Sequence, residues 1–477
     1  MRVNVKAGGA IPGRKALLPY LTDCYKTDKE KLKNKVAGKK VIYFDETSDA
    51  CGRFVCAILF SIYPAELIGQ RPLLADVSCQ SRRCNSGKKS AFILSAMTEY
   101  SITYENVIGI ATDNASYMVS AFKNILKSVL PNSLHLCCLA HLLNLVVSVF
   151  IRPFEKATAW SQAFSHYFSN SGARKFRYLE YLESIGESKK LPPQPVTTRW
   201  LSMFTAIQYH KKLVGAEKTF VELEILDHPD NDSLDRLSHL LHDYKHLVFE
   251  LNFVSARALP YIRALRLFES DSTIGVMLFS AIEDIVCDLA AQKEMPRESV
   301  ADILEQQVET FLSSEKNELI AKVNKAVTGA EDKLMKYFSE ANGIHPAREF
   351  IKQLQYFHPK RSLMFDLSPA LHAIPGFTSV PEAEKIRYRS LAREFSFEEE
   401  STIEEEVQAV MDFWKGAEID LPNLSALGRT YGAVTCSSAA VERVFSYYNK
   451  LLSDERQRLS EASLKELMFL YINGQNL

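Results

Sequence analysis

The chain has 477 residues, 47% of them hydrophobic, and carries 57 basic and 58 acidic side chains for a net charge of −1. That is length for roughly three domains and a sizeable core. The near-neutral balance excludes a protein that coats nucleic acid by charge alone, while leaving local basic patches open. Nine cysteines, scattered and odd in number, read as reduced thiols and not as a disulfide framework. Met1 to Pro12 lacks the apolar stretch of a secretory leader. The longest apolar run, Leu142 to Ile151, contains Asn144 and Ser148 and is too short to cross a bilayer. The expectation is a soluble intracellular protein.

The first 38 residues open without strong periodicity and then turn lysine-rich, from Lys26 to Lys40, with acids interspersed, which reads as a solvated helix face. Val41-Ile42-Tyr43-Phe44 is a short β-rich run ending at Asp45, Phe54 to Ile62 a second, and Leu73 to Cys79 a third. Phe92, Ile93, Ala96, Met97 and Tyr100 keep helical spacing. Asn106 to Ala111 is apolar again and ends at Thr112-Asp113-Asn114. A helix follows with Val119, Phe122, Leu126 and Leu130 as its stripe, then a brief strand at Leu134 to Cys137 and a buried helix from Leu139 to Phe150. This order predicts a mixed α/β layer with helices on both faces of the sheet. Sites in open sheets form just beyond the carboxyl ends of strands, and Asp45 and Asp113 both sit at such ends.

From Leu201 to about Leu421 the pattern is almost wholly helical, with no fixed repeat. Asp232-Ser233 is read as the cap of a helix whose stripe runs Leu234, Leu237, Leu241, Tyr244 and Val248. Further stripes lie in Phe268–Val286, Val300–Phe311 and Ala383–Phe395, and two glutamate triplets, 398–400 and 404–406, read as a solvated acidic face. Past Pro422 and Gly428, Val441, Val444, Phe445 and Tyr448 form one helix face, while Glu442, Ser446 and Asn449 share a polar one. Ser460 caps a last helix with Leu464, Leu467, Met468 and Tyr471 as its stripe, a surface broad enough to require burial in the core or against another subunit.

Three groups could carry chemistry. Asp45, Asp113 and Glu442 are hard oxygen donors of the kind that hold two magnesium or manganese ions across a phosphodiester. Glu442 taken alone is an ordinary solvated glutamate. Cys138-Leu139-Ala140-His141 is a C-x-x-H, half of a zinc site by donor type. No second pair completes it, so burial of Cys138 and a hydrogen-bonding role for His141 is the expectation, without a structural zinc. Thr197-Thr198-Arg199-Trp200 follows three prolines and arrives as an extended loop. Trp200 either plugs a core gap or stacks on an unpaired base while Arg199 meets phosphate.

In chain order, D-E-T-S-D at Asp45, T-D-N-A at Thr112, C-x-x-H at Cys138, T-R-W at Thr198 and S-S-A-A-V-E-R-V-F-S at Ser437 resemble the motifs of a hAT superfamily DDE transposase. Asn449 to Ser460, N-K-L-L-S-D-E-R-Q-R-L-S, resembles that family's C-terminal dimerisation region. The resemblance runs from about residue 39 to the C-terminus. It implies an RNase H-like mixed sheet interrupted by a large all-α insertion domain, with C-terminal helices completing the core and the dimer surface. The corresponding division is 1–38 as an N-terminal segment, 39–200 as the first part of the core, 201–424 as the insertion, and 425–477 as core completion and dimerisation region.

The resemblance further implies that Asp45, Asp113 and Glu442 bind two Mg2+ or Mn2+ ions and cut and join DNA. Cys138 and His141 support them, Arg199 and Trp200 contact a DNA hairpin, and Leu464, Leu467, Met468 and Tyr471 serve dimerisation. The expected partners are DNA and a second copy of the chain, in the nucleus and away from membranes. Two features depart from the family pattern: residues 1–38 show no BED-type zinc finger, and Val441 stands where serine usually precedes the glutamate. The alternative is a domesticated, non-catalytic dimerisation or chromatin-associated regulatory protein.

Overall fold

The computed structural model describes residues 14–49, 52–64, 71–80, 85–196, 200–229, 231–270, 275–307, 310–364, 371–396, 402–452 and 459–474. They form two compact units, one of residues 1–139, 268–278 and 349–477, the other of 140–267 and 279–348. Helical periodicity shows that a segment has an apolar face, but not which core that face joins.

The first unit is built on a five-stranded mixed sheet in the order β3-β2-β1-β4-β5. The strands are β1 (Lys39–Ser48), β2 (Phe54–Tyr63), β3 (Leu73–Gln80), β4 (Val107–Thr112) and β5 (Leu134–Cys137). The first three are antiparallel, whereas β1, β4 and β5 run parallel. Parallel neighbours need crossover connections. The Ser86–Glu99 helix precedes β4, and a helix from Ser116, with a π-helical stretch at Phe122–Leu126, links β4 to β5.

Alternation along β1 separates two layers. Ile42 and Phe44, with Ile58, Phe60 and Ile110, pack against Ile93 and Met97 of the Ser86–Glu99 helix and against Leu126 and Leu130. Each buried side chain of this size contributes about 1.5–3 kcal/mol. Val41, Tyr43 and Asp45 face the other way, opposite Ser61, Leu59 and Ala57 of β2. The Ala439–Leu451 helix covers that face and buries Val441, Val444, Phe445 and Tyr448. The lysine-rich start does form a helix, Arg14–Lys35, but Lys40 is not solvated. It lies in β1, is 1% exposed, and donates to the Gly38 carbonyl at 2.6 Å.

The last helix, Glu461–Asn473, starts at an Ser460 N-cap as expected and lies along the sheet edge at β3. An edge strand has unpaired backbone groups. Here the buried Asn473 side chain acts as a one-residue neighbouring strand. Its Oδ1 accepts from Leu74 N at 2.9 Å and its Nδ2 donates to Leu74 O at 2.8 Å. The helices Ile403–Gly416 and Pro422–Tyr431 meet through Gly428, which leaves room for the indole of Trp414. That ring is fully buried and donates to Phe357 O at 2.7 Å.

The second unit is all helix. Its longest element, Trp200–Asp227, carries His210, Glu217 and Glu224 at seven-residue intervals on one buried face. Each buried charge has partners, as burial demands. Glu217 accepts from Trp160 Nε1 and His210 Nδ1, both at 2.8 Å. Glu224 takes both arms of Arg177 at 2.6 Å and the Tyr167 hydroxyl. Glu250 sits at the N-terminus of the Glu155–Tyr167 helix, accepting from Ala157 N at 3.0 Å and from Lys322 at 2.6 Å. The single stripe expected from Leu234 to Val248 is divided between two helices, Asp232–Leu241 and Tyr244–Arg257, with Asn231 as the first cap. The first helix buries Leu234 and Leu237 of that stripe, whereas Leu241, Tyr244 and Val248 are only half-buried and the second helix turns Leu247, Phe249 and Leu251 inward.

Two substitutions test this packing. Asn473→Ala strands a buried N–H and a buried C=O of Leu74. At about 1–3 kcal/mol for each unsatisfied group, urea unfolding should show a loss of about 2–5 kcal/mol, and a loss below about 0.5 would mean that the edge does not need the amide. Gly428→Ala gains about 1 kcal/mol in helix propensity. The new Cβ, however, would sit 2.6 Å from the Trp414 ring. That ring is tethered and cannot give way, so the clash wins, and the variant should be less stable by about 1–3 kcal/mol.

Candidate active site

The parallel pairing of β1 and β4 ends at Tyr43↔Ala111. Asp45 and Asp113 each lie two residues further on, so they leave adjacent strands, roughly 4.8 Å apart, on the same face. Asp45 is not at the end of its strand, as the sequence suggested. β1 continues to Ser48 against β2, and it is the neighbour β4 that stops. The aspartate is thereby held by rigid backbone beside an opening in the sheet. Glu46 N donates to Asp45 Oδ1 at 2.8 Å, and Ala115 N to Asp113 Oδ1 at 3.3 Å.

Glu442 lies exposed in the first turn of the Ala439–Leu451 helix, where a negative charge suits the helix dipole. That turn is tied to the strand ends by the backbone and thiol of Cys138. Cys138 N donates to Thr112 O at 2.8 Å, and Ser438 N donates to Cys138 Sγ at 3.2 Å. Leu139 N adds a bond to Cys436 O at 2.8 Å. Burial pushes the Cys137 thiol up to about 12 and raises Cys436 as well, so these are inert thiols and not nucleophiles. Burial of Cys138 is therefore as the sequence suggested. His141, three residues on, is partly exposed and belongs to the helical unit.

The far end of the same helix is anchored by residues that sequence reasoning missed. The Tyr448 hydroxyl lies 3.0 Å from Cys79 Sγ, at the end of β3, and 3.4 Å from Asp49 Oδ2. Asp49 accepts Arg53 Nε at 2.7 Å and Arg53 N at 2.8 Å across the β1–β2 turn. Tyr448 reads in the sequence as one more apolar-stripe residue; only its hydroxyl, an atom that needs a partner when buried, hinted at this role. Behind Asp113, Thr112 Oγ1 lies 2.9 Å from His135 Nε2, and the imidazole stacks on Phe122 at 4.8 Å. Beneath β1, buried Lys89 pairs with Glu46 at 2.7 Å and sits over the Tyr117 ring at 3.4 Å.

The electrostatics bring the three acids together. Asp45 is held well above the usual carboxylate range, by burial first and then by repulsion from Asp113, with Glu442 and Glu46 adding to it. The Glu46 N–H bond opposes the shift. Among the described residues, no three His, Cys, Asp or Glu side chains are drawn to metal-ligand spacing. The acids are neighbours by charge and not a closed cage. As a donor set they still fit hard divalent cations, because all three are carboxylates and a cation would relieve the strained charge at Asp45.

Arg199 lies outside the described residues, as does the side chain of Trp200, which opens the Trp200–Asp227 helix. Residues 398–400 and 453–458, read above as an acidic face and as part of the tail, also lie outside them. Of the four dimerisation residues, Leu464 and Met468 are buried within the chain itself and Leu467 is half-buried. Tyr471 is 60% exposed, its ring 4.8 Å from Tyr447. No helix among the described residues is long and apolar enough to cross a membrane.

No curated protein sequence matched the chain as a relative. Residues 388–473, which include the Ala439–Leu451 and Glu461–Asn473 helices, match the hAT family C-terminal dimerisation region, and this match supports a hAT-family, transposase-derived protein that associates with itself.

Proposed function

We propose that the chain is a hAT-type transposase core that cuts and joins DNA with Asp45, Asp113 and Glu442 as its metal-binding acids, working in the nucleus. The observation that carries this reading is the convergence of three carboxylates from β1, from the end of β4 and from a helix about 330 residues later in the chain. Burial raises the Asp45 carboxyl first, and repulsion from Asp113 and then Glu442 adds to it, which supports the closeness of both to Asp45. The strand order, three antiparallel strands followed by two parallel ones, supports an RNase H-like core. When bound, two magnesium or manganese ions would activate the attacking oxygen and stabilise the leaving oxygen of a phosphodiester. The chain's own part is positional. β1 and β4 fix the two aspartates, Cys138 and Ser438 hold the turn that presents Glu442, and Tyr448 keeps that helix from rolling on the sheet. Arg199 and Trp200 are proposed to meet the DNA, by phosphate contact and base stacking.

The Asp45 shift makes the metal reading testable without catalysis. A raised carboxyl disfavours the folded state as pH rises from the ordinary carboxylate range, about 4, through its folded-state value, and the penalty is complete above that. Without metal at neutral pH, Asp45→Asn should therefore melt higher than the wild type. Manganese at about ten times its Kd should stabilise the wild type by about 1.4 kcal/mol, a rise of several degrees, and should leave Asp45→Asn nearly unmoved. Equal shifts in both proteins would remove Asp45 from any metal site.

Glu442→Gln keeps shape and helix propensity but loses one charge. On pre-nicked, hairpin-forming DNA with manganese, cleavage should fall at least about a hundredfold, while melting temperature and oligomer mass stay as in wild type. Glu394→Gln, at an exposed helix end in the same unit, is the control. Glu466 is unsuitable because it accepts from the Thr22 hydroxyl. Equal cleavage by the two variants would leave Glu442 a solvated glutamate and favour a non-catalytic dimerisation protein.

A further inference from the structure

The matched region is a dimerisation region, yet the apolar stripe of the Glu461–Asn473 helix is largely used inside its own chain, with Leu464, Met468 and Phe469 at most 2% exposed. The most exposed large apolar side chain among the described residues of that region lies elsewhere. Ile419 is 94% exposed, in the turn between the Ile403–Gly416 and Pro422–Tyr431 helices. Ile386, just ahead of the matched region on the Glu382–Glu394 helix, is 60% exposed. The next residues along, Arg387 and Asp420, bond to each other at 3.0 Å, so Ile386 and Ile419 each flank the same ion pair.

This corner is stiff. The Glu384 carboxylate accepts from Asn423 N and Leu424 N, each at 3.0 Å, and from Asn423 Nδ2 at 2.6 Å, so one helix pins the N-terminus of the other. Arg429 reaches Glu418 at 3.2 Å across the same turn. A surface already rigid loses little conformational freedom on binding.

We propose that this corner is the face on which a second copy of the chain docks, in an isologous contact centred on Ile386 and Ile419. The Arg387–Asp420 pair keeps about half of each side chain exposed, 52% and 49%. The patch thus presents one positive and one negative charge side by side around an apolar centre, and is complementary to itself. A twofold axis sets Arg387 of one copy against Asp420 of the other, with the isoleucines enclosed by a polar rim. The inference rests on the self-association supported by the family match and is independent of catalysis.

Light scattering coupled to size exclusion, over a range of concentrations, tests it. Wild type should run as a dimer. Ile419→Asp should run as a monomer with an unchanged melting temperature, because so exposed a side chain holds up nothing in its own fold. Arg387→Asp and Asp420→Arg should each raise the dimer dissociation constant at least about tenfold, and the double reversal should restore it. A dimer that survives Ile419→Asp and both single reversals overturns the inference, and Tyr471→Asp then tests the terminal helix as the alternative face. Wild type that stays monomeric throughout overturns the self-association itself, a different outcome from the first.

Discussion

The site depends on how one helix is fastened to one face of the sheet. The Ala439–Leu451 helix arrives some 375 residues after β1 and β2, the strands it covers. It is held at its first turn by the Cys138 thiol and at its last by the Tyr448 hydroxyl. Apolar contact alone would let it slide or roll, since Val441, Val444 and Phe445 gain similar burial at several rotations. Directional bonds at both ends remove that freedom. A thiol is a weak acceptor, but in a dry setting it has no water to compete with, and an unmet Ser438 N–H would be costly. Two directional bonds, beyond the hydrophobic core, then fix the rotation of the helix that bears Glu442.

That arrangement has a consequence for assembly. Ser438 bonds to Cys138 across 300 positions, and Asn473 bonds to Leu74 across 399. Contacts of such separation form late, because loop closure must precede them. The sheet edge at β3 and the acidic corner are both completed only by the last 40 residues.

The helical unit solves a different problem by the same rule. Its long helix buries a histidine and two glutamates on the face where coiled-coil packing would put leucines, and each carboxylate is met by a donor from another helix, Trp160 for Glu217 and Arg177 with Tyr167 for Glu224, while His210 meets Glu217 along the same helix. Removing one partner would leave a buried charge unpaired, a larger loss than the pair itself contributes. The bonds to Trp160, Tyr167 and Arg177 act on register: a helix shifted by one turn would break all three at once.

The sequence by itself determined the strands and most of their boundaries, because β-branched and aromatic runs bounded by turn residues have one low-energy reading. It also carried the hAT resemblance in motif order and the expectation that Cys138 is buried, which holds at 1% exposure. Tertiary structure decided the rest. Asp45 sits beside an opening because β4 ends, a fact of pairing that no local pattern carries. Glu250 is buried because it finds Ala157 N and Lys322 from elsewhere in the chain, and Lys40 is buried over the Gly38 carbonyl two residues back, whereas charge alone argued for solvent. The stripe of the terminal helix was legible as apolar, but its docking along the edge of β3 depended on an orphan pair of backbone groups at Leu74 that only the folded sheet creates.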